Sequence, residues 1–516
     1  MPPTPIAYLL PEGVDLETLR QRLAESCRLH EDAPEELRQT YYDSFDWRVW
    51  QAEGELVLEE NGAGRLCWFG RTGGEPQECL PLEGAPRYWE ALPEVPLRQR
   101  LGGLLEMRAL IPQVKVLQRL RTLRLLDDEE KTVARIVLLE SRWRSLDGRA
   151  KGPLAPRVVL KPLKGYDSHF EHLRKQLEAL ELARAERSLY EESLAGVGRR
   201  AGDYSSKLNY ILDPEARSDV TAKRILLNLL DTLQANVEGT KANLDSEFLH
   251  DLRVATRRTR SAMGHIKGVF DARELAPFKK DFGWLGKITG PTRDLDVYLL
   301  QFPIYRTMLP PALQGDLDPF HAFLFKRHKQ AQEALAKRLG SPHFRRLMKQ
   351  WRAWLQAPPP ERPEAPNALR PIAELADQRI DKLYRKVLQE GDAITPDSEP
   401  ERLHELRKEC KKLRYMIEFF QSLYPKPEIR QLIKILKILL DNLGEFQDLQ
   451  VQAHTLEDFG QQMQQEGAPA SALMAMGILV GKLLERQAQA RDSFAELFAD
   501  FGSDANRSAF LRLFGG

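Results

Sequence analysis

Two stretches of the sequence place a histidine and several basic residues at the same spacing. One reads HDLRVATRRTRSAMGHI from His250, and the other reads HELRKECKKLRYMIEFF from His404. In both, leucine stands two positions after the histidine, arginine three, a basic pair seven and eight, and arginine ten positions after it. Arginine offers paired N–H donors that match the oxygens of a phosphate or carboxylate, so this frame indicates anion binding. The frame comprises His250, Arg253, Arg257, Arg258 and Arg260, and then His404, Arg407, Lys411, Lys412 and Arg414.

The frame recurs because the chain contains an internal duplication. The offset is 404 − 250 = 154 residues, and it continues without a gap further along. A shared frame of this length is typical of repeated architecture rather than of chance. The later matched pairs are Gly290 with Gly444, Asp294 with Asp448, Leu295 with Leu449, and Val297 with Val451.

Both stretches are predicted to be helices, since neither contains proline or the alternation of a strand. At 100° per residue, the positions 0, 3, 7 and 10 of the frame fall within an arc of roughly 80°. A largely apolar edge precedes each basic stripe by one residue, from Leu249 in the first copy and from Leu403 in the second. Each helix is therefore expected to pack its apolar edge into a core, with its basic stripe next to that core.

The simplest alternative is a solvated charged face, because charged residues are mostly exposed. Between 250 and 267, however, five Arg or Lys residues accompany a single acid, Asp251. Like charges four residues apart in a helix cost roughly 0.2–0.5 kcal/mol per pair, which an external anion would offset. The stripe also recurs in the second copy, although Glu405 and Glu409 dilute its charge there. These observations favour an anion-binding groove.

The frame residues are expected to play different parts. Arginines are the primary phosphate contacts, lysines act as point charges, and Arg258 and Lys412 could face either the groove or the solvent. Each histidine is either a phosphate donor, stronger below pH of about 6.5, or a packing and capping residue. A histidine metal site is disfavoured because no second ligand stands beside either ring at ligand spacing. The next helix supplies a second basic row of Lys280, Lys287, Lys434 and Lys437, with Lys280 and Lys434 again 154 apart.

Composition restricts the class of protein. The chain has 516 residues, is 42% apolar and contains no run of 18 apolar residues, so no membrane span is expected. No signal peptide is apparent, and the four scattered cysteines form no C-x-x-C, so reduced thiols and a cytoplasmic location are expected. Residues 1–100 carry 10 Arg, no Lys and 19 acids, a net of −9, so the remainder carries +10. A polyanion would be drawn to the later part of the chain.

The pattern divides the chain into a mixed α+β domain at 1–200, a linker at 201–219 and an all-helical domain at 220–516. In the first domain, strands are predicted in a meander within 39–71 and at 117–125, 132–140 and 157–163, and helices at 15–29, 97–105 and 166–196. A proline-rich seam at 357–368 separates repeat one, 220–356, from repeat two, 369–516. Helices are predicted at 220–238, 247–269, 274–289, 292–308, 316–339, 342–356, 369–390, 401–423, 426–443, 446–464 and 469–500, with a short docking helix at the end.

The first domain resembles a degenerate CYTH domain, the fold of the triphosphate tunnel metalloenzymes, an antiparallel sheet or barrel. The resemblance lies in YYDSFDWRVWQAEGEL, in QRLRTLRLL and in TVARIVLLE. The first strand of that family carries Glu-x-Glu-x-Lys, whose carboxylates hold divalent metals. The first strand predicted in this chain reads PIAYLLPEG instead. The resemblance therefore implies neither a metal nor catalysis, and it leaves Arg119, Arg121, Arg124 and Arg135 as relics or as weak anion contacts.

The duplicated frame and the later Asp-Leu-x-Val segments resemble a CHAD domain. That resemblance implies two pseudo-symmetric four-helix bundles around a basic groove or pore that binds inorganic polyphosphate, without catalysis and without a cofactor, and a protein found at polyphosphate granules. Two alternatives stay open: a metal-dependent triphosphate or polyphosphate hydrolase acting through the first domain, and a nucleic-acid-binding protein. Nucleic acid is less favoured because the stripes lack interleaved aromatic residues. The sequence leaves the oligomeric state open, a homo-oligomer included.

Overall fold

A computed structural model describes residues 4–71 and 74–515. The chain divides into two compact units, one running to Ser205 and the other from Ser206 onwards. An α+β unit is followed by an all-helical unit, as the sequence predicts. None of the helices in the described ranges combines the length and the apolar character that crossing a membrane requires.

The first unit is built on one sheet of antiparallel strand pairs. Its strand order is β11-β1-β10-β8-β7-β3-β4-β5-β6, with β2 paired to β7 and β9 to β8. Longer helices cover the sheet with buried leucines, as α1 does with Leu19 and Leu23. The strands are β1 (Ile6–Leu9), β2 (Arg28–Glu31), β3 (Glu35–Asp43), β4 (Gly54–Asn61), β5 (Ala63–Gly70), β6 (Glu78–Pro81), β7 (Ile111–Leu126), β8 (Thr132–Arg144), β9 (Lys151–Pro153), β10 (Arg157–Lys161) and β11 (Ala183–Arg184); the helices are α1 (Leu16–Ser26), α2 (Arg48–Gln51), α3 (Pro96–Leu105), α4 (Asp167–Ala179) and α5 (Leu189–Gly196).

Three sequence expectations for this unit were wrong. The helix predicted at 15–29 ends at Ser26, and the chain turns into β2. The helix predicted at 166–196 is two helices, because the chain reverses at Glu181, which has a positive φ of 63°, and adds the short strand β11. Cys67 and Cys79 form a disulfide rather than thiols, since they face each other on β5 and β6 with Cα atoms 4.1 Å apart. Cys27 and Cys410 are free.

The second unit consists of helices joined by short connections. Two apolar clusters hold it together, and both contain side chains from each half of the duplicated sequence. The symmetric arrangement of two bundles stays a prediction. The helices are α6 (Ser218–Ala235), α7 (Val237–Lys241), α8 (Ser246–His265), α9 (Ala272–Ile288), α10 (Gly290–Thr307), α11 (Asp318–Leu339), α12 (Pro342–Gln356), α13 (Ile372–Asp392), α14 (Pro400–Phe420), α15 (Lys426–Gln465), α16 (Ala470–Asp492), α17 (Phe494–Phe501) and α18 (Asp504–Phe514).

The two halves differ at one helix boundary. In the first half α9 ends at Ile288 and α10 begins at Gly290, beside Pro291, which has no N–H for the helical ladder. In the second half the matched position is Glu445, and α15 runs unbroken for 40 residues. The sequence-based division into 426–443 and 446–464 was therefore wrong. The helix predicted at 469–500 is likewise two helices, α16 and α17, which meet at Ser493.

The segment between the two domains packs on the helical unit. Tyr210 donates its hydroxyl to the carbonyl of Phe419 at 3.0 Å, and the backbone N–H of Leu212 donates to the Ser422 hydroxyl at 3.1 Å. Leu212 is itself part of the larger helical cluster. Residues 206–217 thus belong structurally to the helical unit.

Candidate anion-binding groove

The two basic helices, α8 and α14, pack against each other. Arg258 of α8 donates to Glu418 of α14 at 2.9 Å, although the two residues lie 160 positions apart. Arg257, seven residues after the first histidine, exerts a repulsive charge effect on Lys411, seven residues after the second. The tertiary structure thus brings together the basic edges that the sequence places in separate repeats.

Two exposed cations of the first repeat, Arg257 and Arg260, form no ion pair with a described residue. Arg253 is partly buried, and its Nη1 donates to the hydroxyl of Thr289 at 3.1 Å and to the carbonyl of Gly286 at 3.4 Å. Burial lowers the pKa of Arg253, the charge of Asp294 opposes that shift, and the charge of Arg257 adds to it. Arg257 and Arg260 are therefore the cations of this stripe that an external anion could pair with.

The second repeat contributes cations that are partly neutralised. Arg407 donates to Asp448 at 2.9 Å, and Nε of Arg414 donates to Glu418 at 2.7 Å. Asp448 itself is 60% exposed, so water screens that ion pair. Lys411 has no acidic partner within ion-pair distance among the described residues.

Matched glycines lie at ordinary van der Waals distance from the guanidinium groups. A Cβ atom on Gly290 would lie 3.7 Å from Nη1 of Arg253, and one on Gly444 would lie 3.5 Å from Nη2 of Arg407. Arg253 and Arg407 are 154 residues apart, and so are Gly290 and Gly444. The duplication therefore preserves a close approach between arginine and backbone as well as a charge pattern.

Lys411 reports the electrostatic field of the groove. Burial lowers its pKa to about 8, and the charges of Arg407, Arg257 and Arg414 add to that shift, whereas Asp448 opposes it. Arginines from both repeats therefore act on a single ammonium group. The part of this shift that the three arginines cause would favour an added anion, whereas the burial part disfavours any charged group.

Arg258 and Lys412, for which the sequence left groove and solvent open, both meet carboxylates instead. The Arg258 side chain is 15% exposed and lies between Glu418 and the carbonyl of Ser206. Lys412 donates to Glu409 at 2.6 Å, and Lys386 binds the same carboxylate at 2.9 Å. Both residues occupy the eighth position of the frame, where each has a structural counter-ion.

Each histidine contacts a residue on a later helix, His250 on α10 and His404 on α15. Nδ1 of His250 lies 3.0 Å from Nη2 of Arg293, and Nδ1 of His404 lies 2.9 Å from Oε1 of Gln447. The guanidinium can only donate, so Nδ1 of His250 accepts. The partners are matched by the same offset, which gives the histidines a shared positioning role that the sequence alone did not reveal.

The lysines of the second row are all exposed. Lys280 and Lys287 lie on α9, and Lys434 and Lys437 lie on α15. None forms an ion pair with a described residue. Their participation in the groove stays a prediction.

The environment of His250 differs from the sequence expectation. Glu247, His250 and Asp251 place ligand atoms within 4.8 Å of one another, so carboxylates do stand beside this ring. Arg293 reaches the same place, with Nη2 at His250 and Nη1 3.9 Å from Glu247. A resident guanidinium disfavours a metal cation there by like-charge repulsion.

Sequence reasoning also missed buried acids and one buried histidine. Glu418 lies four positions beyond Arg414, a spacing typical of helical ion pairs, which could have identified it. His328 is 9% exposed, and its Nε2 lies 2.7 Å from Oδ1 of Asp296, with which it forms a buried pair. Neighbouring Arg327 pairs with Glu466 at 3.1 Å.

The chain is similar to one known protein family and to several solved structures. Residues 224–457 match the family model of the CHAD domain. The CHAD domain from the plant Ricinus communis is 28% identical with a TM-score of 0.48, and the match covers 59% of this chain and 94% of that one. PptA from Streptomyces chartreusis is 14% identical with a TM-score of 0.44, covering 55% and 99%.

The N-terminal region has structural neighbours of its own. One is a protein from Hippeastrum that carries an adenylyl cyclase name and has a dominant triphosphatase activity; it is 9% identical with a TM-score of 0.27, and the match covers 37% of this chain and 95% of that one. No curated protein matches the sequence. Residues 224–457 of the helical unit, which contain both copies of the histidine frame, thus match the CHAD domain family.

Proposed function

We propose that the helical unit binds inorganic polyphosphate without catalysis, in a groove formed by α8 and α14. The observation that carries the proposal is the contact between α8 and α14, which brings Arg257 close enough to Lys411 for their charges to interact. These two cations come from different repeats, and neither forms an ion pair with a described residue. A chain of phosphates supplies repeated negative charge along such a track. Its contacts are Arg253, Arg257, Arg260, Arg407, Lys411 and Arg414, flanked by His250, His404, Lys280, Lys287, Lys434 and Lys437.

The geometry favours polyphosphate over a nucleic acid. Binding of single-stranded nucleic acids uses aromatic side chains on which bases stack. Tyr415, the aromatic residue beside the second stripe, packs against the apolar core instead. Binding of this kind would hold the protein at polyphosphate granules in a cytoplasmic compartment.

A titration with polyphosphates of increasing length, followed by calorimetry with and without Mg²⁺ or Mn²⁺, tests the proposal. Affinity is expected to rise with chain length until the groove is filled and to fall steeply with salt, because bound counterions are released. Competition with RNA at matched charge and salt separates the two polyanions. Stronger binding of RNA, or release of phosphate during the titration, would replace this proposal with a nucleic-acid or hydrolase function.

A charge-reversal variant locates the groove. Arg257→Glu, Arg260→Glu and Lys411→Glu together should abolish binding and keep the helical circular dichroism, since none of the three side chains forms an ion pair within the described part of the chain. Lys329→Glu, Lys337→Glu and Arg338→Glu provide the matched control, because these exposed residues of α11 carry the same charge change. Equal loss in both variants would show a general charge effect instead of a groove.

A further inference from the structure

One face of the N-terminal sheet lines a cavity of about 340 Å³. Alternate residues of β4 point into it, namely Glu55, Val57 and Glu59, as expected for a strand with one inward face. Apolar walls come from β8 and β10, including Val137, Leu139 and Val159. The cavity thus combines buried carboxyl groups with aliphatic surface.

Four cations of this cavity each have an acidic partner, including Arg71, which binds Glu53 at 3.1 Å. Arg65 binds Glu59 at 2.7 Å, and Lys161 binds Glu75 at 2.9 Å. Arg157 binds Glu192 at 2.9 Å. The cavity does not offer the uncompensated positive charge of the groove on the helical unit, and a polyanion inside it would meet two carboxyl groups.

Three buried polar atoms of the cavity side chains lack a hydrogen-bond partner within the described part of the chain. They are Oε1 of Glu55, Nε of Arg157 and Nε of Arg71. Glu55 is 8% exposed and Arg157 is 5% exposed. Leaving such groups unsatisfied costs about 1–3 kcal/mol each, so a ligand that satisfies them would gain affinity.

The three side chains are near one another. Burial raises the pKa of Glu55 to about 7, while the charges of Arg157 and Arg71 and the hydroxyl of Ser188 act against that shift. All three side chains line the cavity, so one carboxyl group and two guanidinium groups border a single space. A matching ligand would carry a hydrogen-bond donor at one end, for the carboxyl group, and an anionic acceptor at the other, for the guanidinium groups.

We propose that this cavity binds a small zwitterion of the α-amino-acid class, whose ammonium donates to Glu55 and whose carboxylate accepts from Arg157 and Arg71. The volume corresponds to about eleven water molecules at ~30 Å³ each, which is ample for an amino acid. Val137, Leu139 and Val159 accommodate an aliphatic side chain. This site is independent of the polyphosphate proposal.

Calorimetry on the full chain tests the site with L-alanine, L-leucine and L-lysine as probes. Isoamylamine and 4-methylpentanoate serve as matched fragments of leucine, since each keeps one of its two charged groups. Leucine is expected to bind about tenfold or more tightly than either fragment, because each charge-assisted hydrogen bond contributes 1.5–3 kcal/mol. Absence of saturable binding for all three amino acids, or equal affinity for leucine and a fragment, would overturn the proposal.

Variants assign the binding to the cavity. Glu55→Gln should remove the advantage of leucine over 4-methylpentanoate and still fold, because Oε1 has no partner to lose; thermal melting checks this. Val159→Phe should block the cavity sterically, whereas Glu60→Gln, an exposed position near the end of β4, should leave binding unchanged. The charge-reversed groove variant should bind leucine normally. Displacement of leucine from that variant by tripolyphosphate would contradict the assigned ligand class.

Discussion

Lys411 allows the proposed groove to be tested by pH. Its folded-state pKa of about 8 lies below the ordinary 10.5, so the lysine is largely charged at pH 7 and about nine-tenths neutral at pH 9. The charged groups that act on it are Arg407, Arg257, Arg414 and Asp448. A bound polyanion favours the ammonium form, so binding above pH 8 should take up a proton.

The magnitude follows from linkage. Between pH 8 and 10 the affinity for polyphosphate should fall toward a limit of about tenfold per pH unit from this single group. Fluorescence anisotropy of labelled polyphosphate at constant ionic strength measures the affinity. Calorimetry in two buffers of different ionisation enthalpy measures the proton uptake directly.

Two variants make the test specific. Lys411→Met should bind more weakly at pH 7 and lose the pH dependence between 8 and 10. Lys412→Met is the matched control, since the Lys412 amine is held by Glu409, and it should keep the pH dependence. Unchanged affinity from pH 7 to 10 in the wild type, or an equal slope in Lys411→Met, would refute the placement of Lys411 in the groove.

The remaining predictions concern stability, affinity and thiols. The folded state depresses the pKa of Lys411 from 10.5 to about 8, so protonating this lysine destabilises the folded state as the pH falls through that range. In the absence of ligand, Lys411→Met should therefore raise the melting temperature more at pH 7 than at pH 10. Glu418→Gln should lower the free energy of unfolding by about 2 kcal/mol in urea titrations, because Arg258 and Arg414, both partly buried, lose their charged hydrogen-bond acceptor; an unchanged midpoint would contradict the role of this triad. Asp448→Asn should strengthen polyphosphate binding and steepen its salt dependence, because Arg407 loses its competing carboxylate. Denaturing thiol titration without reductant should count two thiols per chain, Cys27 and Cys410, and a count of four would exclude the Cys67–Cys79 disulfide.

The sequence by itself determined the duplicated frame, the existence of most helices and the basic stripes. These are local properties, since a 3.6-residue period and the positions of proline decide which residues share a helix face. The same reasoning failed where contacts between residues far apart in the sequence determine the helix boundaries. It predicted a break near 444 that α15 does not have, and one helix over 166–196 where the chain turns back to the sheet.

Only the tertiary structure decided which cations stay available. Arg257 and Arg258 are neighbours in sequence, yet one lies exposed near Lys411 and the other is buried against Glu418, 160 residues away. Helical periodicity separates the directions of these two side chains by 100°, but it does not determine which acidic residue either side chain contacts. Packing between α8 and α14 makes that choice, because it buries one face with a counter-ion and leaves the other exposed to solvent.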